Sequence, residues 1–303
     1  MSSLDQDLIP IEESRRYVSE TPTPYEDRSC GKCRIAYFPI GKFTICGHWI
    51  CAPLKPFLVS ISFLLLSALC FYNIWTFSPS LASKIGFSIF YGFCTFCLIM
   101  AYFEVIVIGP GYLPFNYKTN KIEPFLWENA MESIVVYREQ MEYARESERP
   151  PRTSFAISAR RFVLRADHYC FWTESWIGLK NARYFLVMLF WVIMTCISWF
   201  CVHTYWFMDI AQSEDFKWQY VLGIIGHVAI GCIFFLSCYH CFLSTRDLCN
   251  NWTSLERWKN RTLPVYDQGC MSNFEEVCGA RKFCPLWIFP CFISQPLQDG
   301  FYA

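Results

Sequence analysis

The sequence predicts an all-α membrane protein, in which four transmembrane helices are combined with a cytosolic loop domain between the second and third helices. Hydrophobic residues make up 54% of the 303 positions and charged residues only 17%, whereas a soluble chain carries about a quarter charged residues. Four apolar stretches are each long enough to cross a hydrocarbon core of about 30 Å. Since the formal net charge is zero, nothing draws the whole chain toward nucleic acid.

The predicted helices end where the apolar sequence stops. Pro79 follows the first stretch and Pro110-Gly111 follows the second, whose only charged residue is Glu104. The four predicted spans cover residues 56–77, 85–108, 184–208 and 220–243. They divide the chain into a cytosolic N-terminal tail (1–52, mostly irregular), helices 1 and 2 (53–108), a cytosolic loop domain (109–183), helices 3 and 4 (184–243) and a cytosolic C-terminal region (244–303).

Basic residues set the predicted orientation. All 26 Lys and Arg residues except Lys84 and Lys217 lie outside the two short connections. Cytosolic segments of membrane proteins carry the excess of Lys and Arg, so both termini and the 109–183 loop are predicted to be cytosolic. The polar N-terminus has no apolar signal-peptide region, and insertion is expected to rely on the first helix. The compartment, endomembrane or plasma membrane, stays open.

Eighteen cysteines do not indicate a disulfide-rich fold. Many lie within the apolar stretches, where a thiol behaves as a small apolar group, and most of the others lie in segments predicted to be cytosolic, where thiols stay reduced. In the N-terminal tail, Cys30, Cys33, Cys46 and Cys51 have a spacing compatible with one tetrahedral zinc ion. The alternative is a set of reduced juxtamembrane thiols, some of them acylated.

Polar residues within the predicted spans are few. Glu104 lies about one turn from the end of its helix, so it is either a functional carboxylate or a side chain that reaches the headgroups. His203, His227 and His240 have no spacing that pairs them, and are interpreted as packing or interfacial residues. A channel or transporter subunit would carry paired polar residues in its spans. The sequence shows no such pairs, so this class of protein is disfavoured.

The sequence Asp167-His168-Tyr169-Cys170 has the composition of an activated thiol. A thiol attacks as its thiolate, and a free Cys is mostly protonated near neutral pH. A nearby His can accept that proton, and a carboxylate can orient the His and stabilise its charged form. The segment is short enough for a turn to bring all three side chains together. It precedes the third span, where a nucleophile would meet both an amphiphilic acyl donor and cytosolic cysteines.

The surrounding residues resemble the cysteine-rich domain of DHHC-type protein S-acyltransferases (palmitoyltransferases). The resembling segment runs without a gap from Pro151-Arg152 to Phe185, and the Asp-His-Tyr-Cys tetrad is a variant known in that family. Pro110-Gly111 is similar to the family's Asp-Pro-Gly element, with Gly109 in place of Asp. Further similar elements follow the fourth span: the segment 251–256 resembles a Thr-Thr-x-Glu element, and residues 266–279 resemble the family's C-terminal motif.

This resemblance implies a protein S-acyltransferase that uses acyl-coenzyme A, palmitoyl-CoA in particular, as co-substrate. Cys170 would be the nucleophile, His168 its base and Asp167 the residue that orients His168. The acyl chain would lie between the four helices, and the partners would be the lipid bilayer and proteins with accessible cysteines.

The resemblance also implies two structural zinc ions, for which this chain lacks the ligands. The expected positions carry other residues: Glu142, Arg145, Phe155, Ala156, Ala159, Phe162, Tyr169 and Trp176. We therefore predict a loop domain without zinc, packed by aromatic side chains instead of metal. Two functions follow: an active acyltransferase, which the retained Asp, His and Cys favour, or a catalytically silent scaffold of the same fold.

Overall fold

Four long helices form the body of the computed structural model, which describes residues 37–40, 43–46, 54–111, 151–156, 161–212 and 218–292. The long helices are α1 (Leu54–Phe77), α2 (Leu81–Ile108), α3 (Ala182–Gln212) and α4 (Trp218–Cys249). Each contains a segment long and apolar enough to span a membrane. At 1.5 Å per residue, even the 24-residue α1 extends roughly 36 Å. The predicted fold class, an all-α membrane protein with four spans, is confirmed.

The helices are longer than the predicted spans because polar residues continue them beyond the apolar core. Helix α2 begins at Leu81, where the side chain of Ser80 accepts a hydrogen bond from the backbone of Ser83, a normal N-cap. It ends at Gly109, whose positive φ of 70° suits glycine. Helices α3 and α4 likewise extend to Gln212 and Cys249.

Helices α1, α2 and α3 share one buried hydrophobic core, to which α4 contributes Ile230. Within it, His203 of α3 is completely buried. Its Nδ1 lies 2.9 Å from the carbonyl oxygen of Trp199, to which it donates, and its Nε2 accepts from Asn73 of α1 at 2.6 Å. His203 therefore joins two helices, in agreement with its interpretation as a packing residue.

Within the described ranges, three two-stranded antiparallel hairpins accompany the helices. The first, β1 (Tyr37–Ile40) and β2 (Phe43–Cys46), lies in the tail that was predicted to be mostly irregular. Two β-favouring runs separated by two residues were the overlooked signal for this hairpin. The others lie between α2 and α3: β3 (Ser154–Ala156) pairs with β4 (Arg161–Val163), and β5 (His168–Cys170) pairs with β6 (Ser175–Ile177).

The segment after α4 folds back onto the helices. It contains the short helices α5 (Ser254–Trp258) and α6 (Cys270–Cys278) and two 3₁₀ turns, Pro264–Tyr266 and Arg281–Leu286. Arg183, at the start of α3, is buried and donates hydrogen bonds to the carbonyl oxygens of Trp287, Phe289 and Phe292. These three carbonyl oxygens lie outside the long helices and need hydrogen-bond donors when they are buried. The guanidinium of Arg183 supplies those donors.

Candidate active site

Strand β5 carries the thiol and the imidazole of the tetrad. Successive side chains of a strand point to opposite faces, and here His168 is half-buried, Tyr169 is exposed and Cys170 is buried. His168 and Cys170 therefore share the face of the hairpin that packs on the helices. The predicted turn was wrong: an extended strand brings the two groups together, and it excludes Tyr169 from the site.

The three predicted site residues lie side by side. Oδ2 of Asp167 lies 3.0 Å from Nδ1 of His168, and the imidazole shares a face of the strand with the thiol of Cys170, close enough for each to shift the pKa of the other. The ring of His168 also contacts Phe185 of α3 edge-on, at 5.0 Å between centroids. The carboxylate and the aromatic ring together fix the orientation of the imidazole, as in other nucleophile–base–carboxylate sites.

This arrangement favours a thiolate paired with an imidazolium. Burial by itself would raise the pKa of Cys170, but the neighbouring His168 and Thr173 outweigh it and leave that pKa below its ordinary value. Burial would likewise lower the pKa of His168, yet its hydrogen bond to Asp167 and the nearby Cys170 raise that pKa to about 10. Because the pKa of Cys170 is lowered and that of His168 is raised, the proton lies on the imidazole and the sulfur is a thiolate. The thiolate is the reactive form of a cysteine.

Asp167 is held ionised by a residue far away in sequence. Its Oδ1 accepts a short hydrogen bond from the backbone N–H of Ser254, the first residue of α5. Although burial would raise the pKa of Asp167, the bonds from His168 and Ser254 lower it. The capping box between Thr253 and Glu256 fixes the start of α5 and therefore the direction of the Ser254 N–H.

A buried network of charges joins the tetrad to the segment after α4. Arg152 binds both carboxylate oxygens of Glu256, at 2.7 and 2.8 Å. Arg152 and Arg165 both donate to Oδ1 of Asn251, at 2.8 and 2.9 Å. Glu276 lies 3.7 Å from Nε of Arg165, a guanidinium whose pKa burial and the nearby Arg152 lower to about 10. The network thus connects the segment of Arg152, the segment of Arg165 and the segment after α4. Each of these contains residues that resemble a motif of the family.

Backbone contacts fix the hairpin to the end of α2. Lys180 N donates to the carbonyl oxygen of Pro110 at 3.1 Å, and Leu164 N donates to that of Gly111 at 3.0 Å. A Cβ at Gly178 would lie 2.7 Å from Pro110 O and 2.8 Å from Leu164 O, so only glycine allows this close approach. The Pro110-Gly111 element thus positions β6, the strand that pairs with β5 and its Cys170.

The positions at which the resemblance implies zinc do not fit zinc. Two of them, Tyr169 and Trp176, are register partners across β5 and β6, with ring centroids 6.1 Å apart. Phe155 and Phe162 are register partners across β3 and β4. Over the described ranges, no group of three or more His, Cys, Asp or Glu residues is placed to hold a metal ion. Glu142, Arg145 and Ala159 lie outside the described residues, as do the predicted N-terminal ligands Cys30, Cys33 and Cys51.

Metal analysis of the purified full chain separates the two predictions about zinc. We expect no zinc bound in the loop domain, because cross-strand aromatic pairs take the place of its ligands. Any zinc found by elemental analysis should therefore disappear in the Cys30→Ser/Cys33→Ser double variant. Stoichiometric zinc that persists in that variant would contradict a zinc-free loop domain.

Sequence reasoning missed several residues around the thiol. The hydroxyl of Tyr102, on α2, donates to the carbonyl oxygen of Trp172 at 3.0 Å and so fixes the loop after Cys170. Thr173, in the same loop, lies close enough to the thiol to favour its ionised form. Two others are remote in sequence: the Ser254 N–H donates to Asp167, and Arg152 shares the acceptor Asn251 with Arg165. Thr173 carried a signal in its closeness to Cys170 in the chain, and Ser254 carried one because it lies in the segment 251–256 that resembles a family element.

Comparisons with known proteins agree with the geometry. The family described as DHHC palmitoyltransferase matches residues 135–261. Protein S-acyltransferase 8 of Arabidopsis thaliana is 31% identical over 44% of this chain and 35% of its own length. Probable protein S-acyltransferase 14 of Arabidopsis thaliana is 24% identical over 69% of this chain and 73% of its own length. Palmitoyltransferase ZDHHC15A of Danio rerio is 25% identical over 48% of this chain and 46% of its own length. The matches thus span between about a third and three quarters of these relatives.

Proposed function

We propose that this chain, which belongs to the DHHC-type protein S-acyltransferase family through its residues 135–261, moves a fatty acyl group from acyl-coenzyme A to cysteine thiols of proteins. The acyl group would be carried as a thioester on Cys170, with palmitoyl-CoA as the donor. One observation carries the proposal: the thiol of Cys170 is paired with an imidazole that is itself held by an ionised carboxylate.

In the first step, the thiolate of Cys170 attacks the carbonyl carbon of the acyl-CoA thioester. A bond forms between that carbon and the sulfur of Cys170, and the bond from the carbon to the sulfur of coenzyme A breaks. Since His168 already holds a proton, it acts as the acid that protonates the departing coenzyme A thiolate. The step leaves acyl-Cys170 and a neutral His168, with Asp167 keeping the ring in place.

In the second step, the roles of the groups reverse. Neutral His168 takes the proton of the incoming substrate thiol, and the resulting thiolate attacks acyl-Cys170. The substrate cysteine keeps the acyl group, while Cys170 leaves as a thiolate beside the re-formed imidazolium. Because one thioester replaces another, the protein mainly supplies ionisation and positioning. No step uses a metal ion.

The position of Cys170 suits a lipid substrate. It belongs to the same buried cluster as Tyr102 and Val105 of α2 and Phe185 and Leu189 of α3. An acyl chain on this sulfur would therefore continue between membrane helices. The loop domain and both termini face the cytosol in this proposal, as the distribution of Lys and Arg predicts. Partners are then the bilayer and cytosolic or membrane proteins with accessible cysteines.

The formation of the thioester tests the proposal. We expect the purified full chain, incubated with an alkyne-tagged palmitoyl-CoA, to acquire label that hydroxylamine removes. Cys170→Ser should lower this hydroxylamine-labile label at least about a hundredfold, because an uncharged hydroxyl is a far weaker nucleophile.

Cys278→Ser is the matched control for this experiment. Cys278 is equally buried, but burial raises its pKa to about 12, so its removal should leave the label unchanged. Label that survives Cys170→Ser, or wild-type protein that acquires none, would favour the silent scaffold.

A further inference from the structure

The loop that follows the nucleophile contains a buried hydroxyl without a conventional acceptor. Residues 171–174 connect β5 to β6, and Thr173 is 1% exposed. Its Oγ1 meets no hydrogen-bond partner that satisfies normal geometry in the part of the chain that the structure describes. A buried donor left in this state destabilises a fold, and such a group at the centre of a reactive site calls for an explanation.

The group on which Thr173 acts is the sulfur of Cys170. Thr173 follows this sulfur by three positions in the same tight loop, and its hydroxyl and backbone N–H are near enough to favour the ionised form of the thiol. The loop cannot easily turn them away. Its base is closed by the register pair of Cys170 and Ser175, and its tip is held by the bond from the Tyr102 hydroxyl to the Trp172 carbonyl.

Two donors beside an attacking sulfur are also beside the oxygen that becomes charged when the sulfur attacks. In the tetrahedral intermediate, the former carbonyl oxygen is bonded to the carbon that the sulfur has just joined, so it lies next to that sulfur. Preorganised donors aimed at developing negative charge are a large source of rate acceleration. The hydroxyl of Thr173 would thus obtain its acceptor only when the acyl group is present.

We propose that Thr173 is a catalytic residue, whose hydroxyl donates a hydrogen bond to the carbonyl oxygen of the acyl thioester as that oxygen becomes an oxyanion. This inference rests on the proposed acyl transfer. As the sulfur–carbon bond to Cys170 forms, the electron pair of the carbonyl moves onto the oxygen and is stabilised there by Thr173. When the pair returns, the bond to the coenzyme A sulfur breaks, and the imidazolium of His168 supplies the proton.

Two reactions of the same thiol test the proposal on the full chain. Acylation by palmitoyl-CoA passes through an oxyanion, whereas alkylation by iodoacetamide does not. Thr173→Val keeps the shape of the side chain and removes the hydroxyl. We expect it to slow acylation of Cys170 about a hundredfold, as for loss of one oxyanion donor, and to slow alkylation less than tenfold. Thr173→Ser should restore acylation to near the wild-type rate.

Both rates are measured as a function of pH, because several titratable groups face the thiol or its base. They are Asp167 and His168 of the loop domain, Tyr102 of α2 and His240 of α4, and Glu174 acts on Tyr102 in turn. The profile of alkylation reports the ionisation of Cys170 in each variant. When the wild-type protein and Thr173→Val are compared at pH values that give Cys170 the same degree of ionisation, the variant should still be acylated more slowly.

The matched control is Thr153→Val, which changes a buried threonine of the same domain whose hydroxyl lies 3.5 Å from the carbonyl oxygen of Pro151. It should leave both reactions unchanged. Equal losses of acylation and alkylation in Thr173→Val would show a role in thiol ionisation alone and overturn the proposal, as would unchanged acylation. If wild-type protein forms no acyl-Cys170 at all, the proposed function fails, and this outcome is distinct from either result.

Discussion

Replacing His168 with alanine is expected to lower the rate of Cys170 acylation about a thousandfold, which is typical of the loss of a positioned acid–base group. Two contributions are lost together. The thiol loses the partner that holds it ionised despite burial, and the departing coenzyme A loses its proton donor. Asp167 would remain, but it has no imidazole to orient.

The dependence on pH should change shape as well as size. In the wild-type protein, acylation should be independent of pH from the lowered pKa of Cys170 up to about 10, the raised pKa of His168. Below this window Cys170 takes up a proton, and above it His168 loses one. In His168→Ala the burial of Cys170 is no longer compensated, so its pKa should rise above its ordinary value of about 8.5. The rate should then increase steadily from about pH 6 to about pH 9.

Initial rates of label incorporation across this range provide the measurement. His240→Ala is the control, since His240 lies on α4 near His168 but bonds to neither Asp167 nor Cys170 among the contacts that the structure gives. It should retain the wild-type rate and window. An unchanged window in His168→Ala would mean that another group ionises the thiol, and the assigned role of His168 would be wrong.

Local sequence was enough to predict the helices and to select three residues that the structure brings together. The four spans need only length and apolarity, and Asp167, His168 and Cys170 lie within four positions. The strand conformation that brings His168 and Cys170 together was harder to predict from the sequence. A three-residue strand is too short for a periodic signal, and Tyr169 between two functional residues has no feature that distinguishes a turn from a strand.

The supports of the site could not be predicted because they come from distant parts of the chain. The Ser254 N–H reaches Asp167 across 87 positions, and Arg152 reaches Asn251 across 99. Sequence spacing does not indicate such pairings. Asn251 also illustrates how a motif misleads: it begins an Asn-Trp-Thr glycosylation sequon, yet its Nδ2 donates to Tyr266 O and to Glu276, both at 2.7 Å. With both amide hydrogens bonded inside the fold, this sequon is not available to a sugar.

Asn251 should therefore be one of the most sensitive positions for stability. Asn251→Ala removes the common acceptor of Arg152 and Arg165 and leaves Glu276 without its donor. Each buried group that loses its hydrogen-bond partner costs about 1–3 kcal/mol, and three groups are affected here. A further cost arises because the backbone φ of 50° is tolerated by Asn better than by Ala. We expect the unfolding midpoint of the detergent-solubilised chain to fall by about 10 °C, given about 2–4 °C per kcal/mol for domains of this size.

Two neighbouring asparagines separate these contributions. Asn260 is exposed and has a similar φ of 52°, so Asn260→Ala measures the backbone cost alone, expected at about 1 kcal/mol. Asn250 follows α4 directly, and its side chain donates from Nδ2 to the carbonyl oxygen of Arg246, so Asn250→Ala should also cost about 1 kcal/mol. If Asn251→Ala lowered the midpoint no more than these two variants, the arginines would have other partners, and the network could not be what keeps Ser254 directed at Asp167. If the large loss is found, acylation at a temperature where the variant is still folded should also fall, because Asp167 would lose the donor that holds it against His168.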